Sequence, residues 1–396
     1  TVTIEIQRDE ETRSSSNFLY LVLAGALTLL CVIGLIMVAS ASSVESAQLY
    51  GSSWSMLQKQ VIAMGFGAFL AYWFSKLTMK WVRIVSWPLM LAALGLLIFT
   101  LKFGIEVGGQ KNWIRLPLGA QFQSSELAKL ALVLFCAHMI ANGIAHGHNK
   151  WRTTAGIGMA SAVIVGLVLA ERDLGTPIIL AGISFSVLYA SGMPRQVLWG
   201  LLGTGVVGVA ALSLLPGMSY RVDRFAAWLN PAADPQGYGY QILHGQFALA
   251  SGGIFGNGLG QSVEKWGGLP AAHTDFILSV IGEELGLFGT LIVLGLLCTI
   301  IMTGFAIAER STDDFGRMVA FGVSTWLALQ TMVNLGAIVR FLPITGVPLP
   351  FVSYGGSSIA PTMAAMGLLL AVARNNATPA RTWDEADDGD EYEDNV

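Results

Sequence analysis

The composition of this chain excludes an ordinary water-soluble globule. Of its 396 residues, 54% are hydrophobic and only 12% are charged, whereas soluble domains carry roughly 25% charged residues. The formal net charge of −4 arises from eight acidic residues between Asp384 and Asp394, without which the rest of the chain would carry +4. We therefore expect an integral membrane protein with an acidic tail.

Hydrophobic runs predict the architecture of the membrane region. A transmembrane helix needs about 20 mostly apolar residues, and ten segments approach this requirement. They predict an all-α integral membrane protein with about ten transmembrane helices. The eighth segment would be about 50 Å long at a rise of 1.5 Å per residue, so it must tilt, kink or project beyond the bilayer. The predicted spans are residues 18–40, 61–78, 82–101, 124–141, 154–170, 177–193, 196–215, 276–308, 318–339 and 355–374.

The distribution of lysine and arginine predicts that both termini are cytoplasmic. Cytoplasmic loops of membrane proteins are enriched in these residues, and this orientation places twelve of the 22 in short inner connectors. Residues 1–17 are then a cytoplasmic segment, 18–374 a ten-span membrane domain and 375–396 an acidic, disordered cytoplasmic tail. Residues 216–275 form a large extracytoplasmic loop between spans 7 and 8. Its aromatic residues predict short amphipathic helices packed on the outer surface.

The segment PAAHTDF, at the entrance to the long eighth span, is the first candidate for catalytic chemistry. Asp275 would lie at a partly desolvated boundary, where a carboxylate can act as a general base. His273 and Thr274 would line the same cavity, together with Glu283 two turns later. The alternatives are that one of the residues 273–275 only caps the helix, and that the acidic pair at 283–284 only orders the loop through outer-surface arginines.

Basic residues on the same predicted face form the second candidate site. Clustered guanidinium and ammonium groups suit phosphate or pyrophosphate, although a solvated rim that contacts lipid headgroups would have the same composition. Arg340 is also assigned to this face. The residues predicted to bind substrate or pyrophosphate are Lys111, Trp113, Arg115, Arg172, Arg221, Arg224 and Lys265.

Two further features predict a polar cavity at the outer end of the spans. Glu126 and Lys129 in QSSELAK are spaced for a salt bridge, and they would be either a structural pair or part of the cavity wall. The segment LPITGVPLPFVSYGGSS (342–358) contains three prolines and three glycines. Irregular backbone at membrane depth is tolerated only where protein or a wet cavity satisfies it, so Ser353 and Tyr354 are predicted to line that cavity. His146 and His148 lie on the opposite face without further ligands, and no metal site is predicted.

Four segments of this sequence resemble the SEDS family, the bacterial shape, elongation, division and sporulation proteins. They are GYGYQ (237–241), GNGLGQSVEKWGGLPAAHTDFILSVIGEELG (256–286), RDLGT (172–176) and LPITGVPLPFVSYGGSS (342–358). The resemblance runs over essentially the whole membrane region, and GLGQSVEK is more similar to division and sporulation members than to elongation members. The sequence departs from the family where the usual QPSE reads QSSE and the usual QPDLGT reads ERDLGT.

The resemblance implies a peptidoglycan glycosyltransferase that polymerises lipid II into glycan strands at the outer face of the bacterial cytoplasmic membrane. It implies Asp275 as the catalytic carboxylate, and lipid II and the growing glycan strand as substrates. A class B penicillin-binding protein (a transpeptidase) and other division proteins are the implied partners, and no nucleic acid is expected. A divalent cation, Mg²⁺ or Mn²⁺, is left open as an aid to the leaving pyrophosphate.

Two other classes of function fit parts of the same sequence. A transporter that flips lipid II would also have ten spans, intramembrane charges and interrupted helices. It would need polar groups through the whole depth of the bilayer, whereas the ionisable residues here gather near one face. A non-catalytic division scaffold is suggested mainly by the acidic tail, which could bind a cytoplasmic partner.

Overall fold

A computed structural model describes residues 2–107, 110–115, 121–147, 150–213 and 219–376 of the chain. Within these ranges, the side chains of residues 2–15, of Tyr238 and of several positions between 202 and 223 are outside the description. The segment 377–396, which includes nearly all of the predicted acidic tail, and His148 also lie outside it.

Thirteen helices make up most of the described chain, and ten of them correspond to the ten apolar segments of the sequence. Seven are long and apolar enough to cross a membrane, and α7 is a shorter apolar helix. The helices are α1 (Val2–Ala41), α2 (Ser43–Tyr50), α3 (Ser55–Lys76), α4 (Met79–Phe103), α5 (Ser124–Ala145), α6 (Lys150–Ala170), α7 (Gly175–Ala190), α8 (Arg195–Ser213), α9 (Ser219–Leu229), α10 (Tyr238–Gly252), α11 (Ile277–Arg310), α12 (Asp314–Ile338) and α13 (Gly356–Asn376).

A small antiparallel sheet between α4 and α5 corrects the prediction of an all-α fold. Its strands are β1 (Ile105–Val107), β2 (Gln110–Arg115) and β3 (Gln121–Gln123), in the order β1-β2-β3. The central strand pairs Trp113 with Ile105 on one side and with Gln123 on the other. The reason is local, because this segment is too polar to cross the membrane. Extended strands pair its backbone groups, and a search for long apolar runs does not detect such short strands.

Three helices form the centre of the bundle. In the apolar windows of α5, α12 and α13, 72%, 72% and 83% of the residues are buried, compared with 28–39% for the other four qualifying helices. The outer helices therefore present apolar side chains to the surroundings on much of their surface. This is the pattern expected when lipid, and not water, surrounds the bundle.

The long helix α11 is broken about one-quarter of the way along, which is one of the three outcomes that its length left open. Gly286 has φ 70° and ψ −168°, which separates a first half-helix from the longer remainder. The segment 253–258 satisfies the backbone groups that the break exposes. The carbonyls of Glu283 and Glu284 accept from the amides of Asn257 and Gly258, both at 2.9 Å. A helix break of this kind is stable only when such partners are present.

Short helices make up much of the described connection between α8 and α11, as the aromatic residues of this segment led us to expect. Two α-helices, α9 and α10, are accompanied by single 3-10 turns at Pro231–Ala233 and Glu264–Trp266. Helix α10 packs on α11. The loop is thus a folded layer that leads directly into Asp275.

Candidate active site

Asp275 lies in a tight turn that immediately precedes α11. The helix begins at Ile277, and its N-cap position is occupied by Phe276 without a side-chain cap. The interpretation of residues 273–275 as a helix cap is therefore wrong. Ala271 in the same turn has a positive φ of 54°, so the turn adopts an uncommon conformation that its neighbours must hold in place.

The amide of Asn334 fixes the backbone of this turn to the segment that follows α12. Its Nδ2 donates to the carbonyl oxygen of Asp275 and to that of Val347, both at 2.8 Å. Asn334 is buried in the central helix α12. Gly346 lies beside Asp275, where a Cβ would make an ordinary contact of 3.6 Å with a carboxylate oxygen. Its φ of 73° is a left-handed conformation that glycine adopts without strain, so the glycine is favoured here by the backbone turn.

Ser353 and Tyr354 hold the other side of the turn. The hydroxyl of Ser353 donates to the carbonyl of Thr274 at 2.6 Å, and the backbone amide of Tyr354 donates to the carbonyl of His273 at 2.8 Å. The ring of Tyr354 packs edge-on against the His273 ring at 5.3 Å. The proline- and glycine-rich segment therefore supports the turn through its backbone as well as through these side chains.

His273 links the turn to α2, an element that the sequence analysis did not predict. Its Nδ1 lies 3.1 Å from a carboxylate oxygen of Glu45. This interaction lowers the pKa of Glu45, and the partial burial of Glu45 opposes the shift without cancelling it. The connection between α1 and α3 is in this way attached to the chain two residues before Asp275.

The environment of Asp275 suits a general base. Burial raises the pKa of its carboxyl group above the ordinary value, while Thr274, His273 and Arg224 act in the opposite direction. A base is most effective when its pKa approaches the working pH. Arg224 also lines a neighbouring cavity of about 310 Å³, together with Gln236, Tyr240, Gln241, Pro270 and Ile344. One predicted cation of this cavity, Arg224, therefore acts electrostatically on the carboxylate of Asp275.

The other predicted cations have different surroundings. Arg115 is exposed at the end of β2. Arg172, with φ 65°, lies 3.9 Å from the carboxylate of Glu106, and both side chains are about half exposed. The Nζ of Lys111 donates to the carbonyls of Leu101 and Lys102 at the C-terminal end of α4, so this ammonium group caps a helix.

The two remaining residues that were predicted to bind substrate lie in the sheet and in α9. Trp113 is a partly buried member of the central strand. Arg221 belongs to α9, but its side chain is outside the described part of the structure.

Lys265 and the acidic pair of α11 form a buried cluster beneath the loop. Lys265 donates to Glu284 at 3.0 Å, to the hydroxyl of Ser40 at 3.1 Å and to the carbonyl of Gly260 at 2.7 Å. Glu283 accepts from the hydroxyl of Ser262 at 2.5 Å and from the amide of Val263 at 2.7 Å. These contacts favour the alternative in which the acidic pair orders the loop. Its partners are a lysine, serines and backbone amides, and not the arginines that this alternative assumed.

Glu126 and Lys129 form the predicted salt bridge, at 2.8 Å, and both are buried. The ammonium group also donates to Gln330 at 2.9 Å and lies 5.0 Å from the centre of the Trp326 ring. Gln330 in turn donates to the carbonyl of Pro348 at 2.9 Å. Hydrogen bonds through Gln330 therefore connect the pair to the 342–355 segment.

The sequence analysis missed two acidic residues in the turn between α6 and α7. Asp173 accepts from the hydroxyl of Thr176 at 2.8 Å and from Nε2 of Gln123 at 3.3 Å. Glu171 accepts from Ser124 at 3.2 Å, and its burial raises the pKa of the carboxyl group to about 8. Two acids between apolar segments were a sequence signal for this polar region, but only Arg172 was selected from it.

The described residues do not offer a protein-made metal site. No group of three or more His, Cys, Asp or Glu residues within the described ranges is placed to hold a metal ion. Around Asp275, the donors are one carboxylate and an imidazole that already faces Glu45. These side chains do not fit a resident cation.

Comparison with known proteins identifies the family. Residues 20–378 match the model of the FtsW/RodA/SpoVE family, described as "Cell cycle protein". The chain belongs to this SEDS family. Among curated members, the "Probable peptidoglycan glycosyltransferase FtsW" of Mycobacterium tuberculosis is 38% identical over 358 residues, which cover 90% of this chain and 68% of that protein. The protein with the same description from Geobacter metallireducens is 36% identical over 365 residues, or 90% of this chain and 95% of that protein.

Solved SEDS structures share the fold. The structure described as "Structural coordination of polymerization and crosslinking by a peptidoglycan synthase complex" aligns with a TM-score of 0.72 and 30% identity, over 89% of this chain and 97% of that one. Rod shape determining protein RodA of Thermus thermophilus aligns with a TM-score of 0.65 and 28% identity, over 90% and 97% of the two chains. The fold, over about nine-tenths of the chain, is therefore one that these solved structures share.

Proposed function

We propose that this protein polymerises lipid II into glycan strands at the outer face of the bacterial cytoplasmic membrane during septal cell-wall synthesis, with Asp275 as the general base. Curated relatives that cover most of the chain are named peptidoglycan glycosyltransferases, which favours a transferase over a transporter or a scaffold. The observation that carries the assignment of the base is the position of Asp275, in a rigidly held turn beside a cavity that contains Arg224.

In the proposed step, Asp275 removes the proton from the sugar 4-hydroxyl of the acceptor lipid II. The oxygen attacks the anomeric carbon of the growing glycan, a new glycosidic bond forms, and the bond to undecaprenyl pyrophosphate breaks. The leaving group takes the electron pair. Arg224 is the best-placed cation to stabilise its charge, and Arg115, Arg172 and Arg221 are further candidates on the same face. Stabilisation of developing charge is often the largest contribution to such a reaction.

Convergence of five connections supports the ten-span topology with both termini in the cytoplasm. The α1–α3 connection touches the turn before α11 through Glu45 and His273. In the α4–α5 connection, the backbone amide of Lys111 donates to the carbonyl of Glu171 in the α6–α7 turn at 3.0 Å. The α12–α13 connection packs on Gly175 and on the turn at 273–275. These five are every second connection between the membrane helices. They can meet at one face only if each pair of helices between them crosses the membrane and returns.

A class B penicillin-binding protein is the proposed partner, together with lipid II, the growing strand and other division proteins. The peptidoglycan synthase complex that this chain resembles coordinates polymerization and crosslinking, and crosslinking requires a transpeptidase. A divalent cation remains a proposal that depends on the substrate's pyrophosphate, because the described side chains do not form a site for it.

Polymerisation of fluorescent lipid II by the purified full chain with a class B partner tests the proposal. Asp275→Asn should fold and insert but form no glycan polymer on a gel. Asp314→Asn is the matched control. Asp314 lies at the N-terminal end of α12, away from the turn that precedes α11, and it pairs with Arg317. Wild-type activity of Asp275→Asn would overturn the general base. Absence of polymer from folded wild type, with partner and Mg²⁺ or Mn²⁺ present, would overturn the proposed polymerisation.

A further inference from the structure

Five large apolar side chains are exposed on the loop that precedes Asp275. We call the set the outer ridge. Their exposed fractions range from 56% to 83%, and they belong to Ile254, Phe255, Leu259, Val263 and Trp266. None of them lies in a predicted span. Ile254 and Phe255 are adjacent in the chain, and Leu259 and Trp266 line one groove. Exposed apolar residues scattered singly are normal, whereas grouped ones mark an interaction surface.

The charged residues of the same segment point inward. The side chain of Lys265 is only 3% exposed because it binds Glu284. Glu264 is turned towards His244, with a carboxylate-to-Nδ1 distance of 2.6 Å. A loop that faces water has the opposite arrangement, with charges outside and apolar groups inside. The segment is therefore built to present its apolar side to an apolar medium.

The ridge is continuous with the lipid-facing surface on both of its sides. On one side, Leu259 and Trp266 line a groove of about 420 Å³ with Ile36 of the membrane helix α1. On the other side, the backbone amide of Phe288 donates to the carbonyl of Ile254 at 3.1 Å. The Phe288 side chain is exposed on α11, another helix that can cross a membrane. The ridge thus begins where the lipid-facing sides of two spans end.

We propose that the outer ridge inserts into the outer leaflet of the membrane and anchors the loop there. Trp and Phe side chains that flank a polar layer are typical of the membrane–water interface. The anchored segment is also the one that supplies backbone partners to the break in α11. Attachment to the leaflet therefore fixes the height of the half-helix 277–285, and with it the height of Asp275 above the lipid-borne substrates.

Fluorescence quenching in nanodiscs tests the anchor. The full chain, with its three cysteines replaced by alanine, receives a single cysteine at Phe255, Leu259, Val263 or Trp266 and an environment-sensitive NBD label. Leu291→Cys on the exposed side of α11 is the lipid-facing control, and Ala233→Cys in the exposed 3-10 turn is the water-facing control. Each labelled protein is first checked for a wild-type thermal transition, and four ridge positions allow for the loss of one.

Two quenchers report on opposite surroundings. With phosphatidylcholine and phosphatidylglycerol whose acyl chains are brominated near the headgroup, ridge labels should be quenched at least half as strongly as the label at position 291. Iodide in the buffer should quench them at least threefold less than the label at position 233. Quenching by iodide equal to that at position 233, without quenching by bromine, would overturn the proposal and indicate a surface awaiting a protein partner. Protection from both quenchers would also overturn it, because it would indicate self-association.

Discussion

The side-chain amide of Asn334 donates to the backbone carbonyl of Asp275 at 2.8 Å. The same nitrogen reaches the carbonyl of Val347 at the same distance, so one buried residue of a central helix joins the catalytic turn to the segment beside it. Each such hydrogen bond contributes about 1 kcal/mol, and a buried carbonyl left without a donor costs more.

Asn334→Ala should therefore lower the free energy of unfolding by about 2 kcal/mol and reduce the rate of glycan polymerisation at least tenfold. The rate falls because Asp275 loses its fixed position. Asn376→Ala is the control, since Asn376 makes a similar bond to the carbonyl of Ile307 at the opposite end of α11. Thermal unfolding and polymerisation are measured for both variants. Equal losses of rate would contradict a positioning role for Asn334.

Glu45 should make stability depend on pH in the acid range. Its pKa is lowered from 4.5 in the folded protein, chiefly by the hydrogen bond with His273, so the unfolded chain binds a proton more readily. The stabilisation is present at pH values above 4.5 and is lost as pH falls through the lowered pKa. Since Glu45 is nearly half exposed, the effect should be below about 1 kcal/mol.

Glu45→Gln should consequently unfold at a lower temperature than wild type at pH 6, and the difference should shrink as the pH falls below 4.5. Glu309→Gln, an exposed change at the other end of α11, should show no such trend. Thermal unfolding between pH 3 and 6 provides the measurement. A difference that stays constant over this range would exclude titration of Glu45 as its source.

Glu171 should have the opposite effect on stability. Burial raises its pKa to about 8 in the folded state, so the unfolded chain loses its proton first as pH rises. Stability then decreases from about pH 4.5 to pH 8 and changes little from this source above that range. Glu171→Gln should remove the decrease and unfold at a higher temperature than wild type at pH 8. Unfolding curves at pH 5 and pH 8 test this, and a variant that gains nothing at pH 8 would refute it.

The buried pair of Glu126 and Lys129 predicts a strong non-additive effect. Lys129→Met leaves the carboxylate of Glu126 buried without its cation, which should cost about 3–5 kcal/mol. Adding Glu126→Leu removes the isolated charge, so the double variant should recover most of that loss. Thermal unfolding of the two single variants and of the double variant forms the cycle. Losses that simply add would mean that the two side chains are not coupled.

Much of the fold could be predicted because the bilayer imposes a simple length requirement. Runs of apolar residues located ten of the helices. The excessive length of 276–308 left tilting, kinking and projection beyond the bilayer open, and the structure has a break in α11 at Gly286. The small sheet and α2 were missed, since neither has a hydrophobic period long enough to be distinguished from a loop. The glycine and proline content of 342–358 predicted irregular backbone without predicting which residues it would touch.

The site divides in a similar way. Asp275 could be selected from the sequence because an acid at the start of an apolar run is unusual and the family motif surrounds it. The attachment of His273 to Glu45 could not, because these residues are separated by more than two hundred positions in the chain and no local pattern connects them. Lys265 and Arg224 look alike in the sequence, but one is enclosed by Glu284 and the other faces a cavity.

Local composition alone predicts a membrane protein with ten apolar segments, and it singles out the turn at Asp275 as the candidate site. Those properties follow from local composition, since the cost of burying backbone and charge in lipid is paid residue by residue. The tertiary structure was needed to learn that Arg224 acts on the carboxylate of Asp275, whereas Lys265 is held in a salt bridge with Glu284. It was also needed to learn which apolar side chains are exposed. These outcomes depend on distances between segments that are far apart in the chain, and packing alone sets such distances.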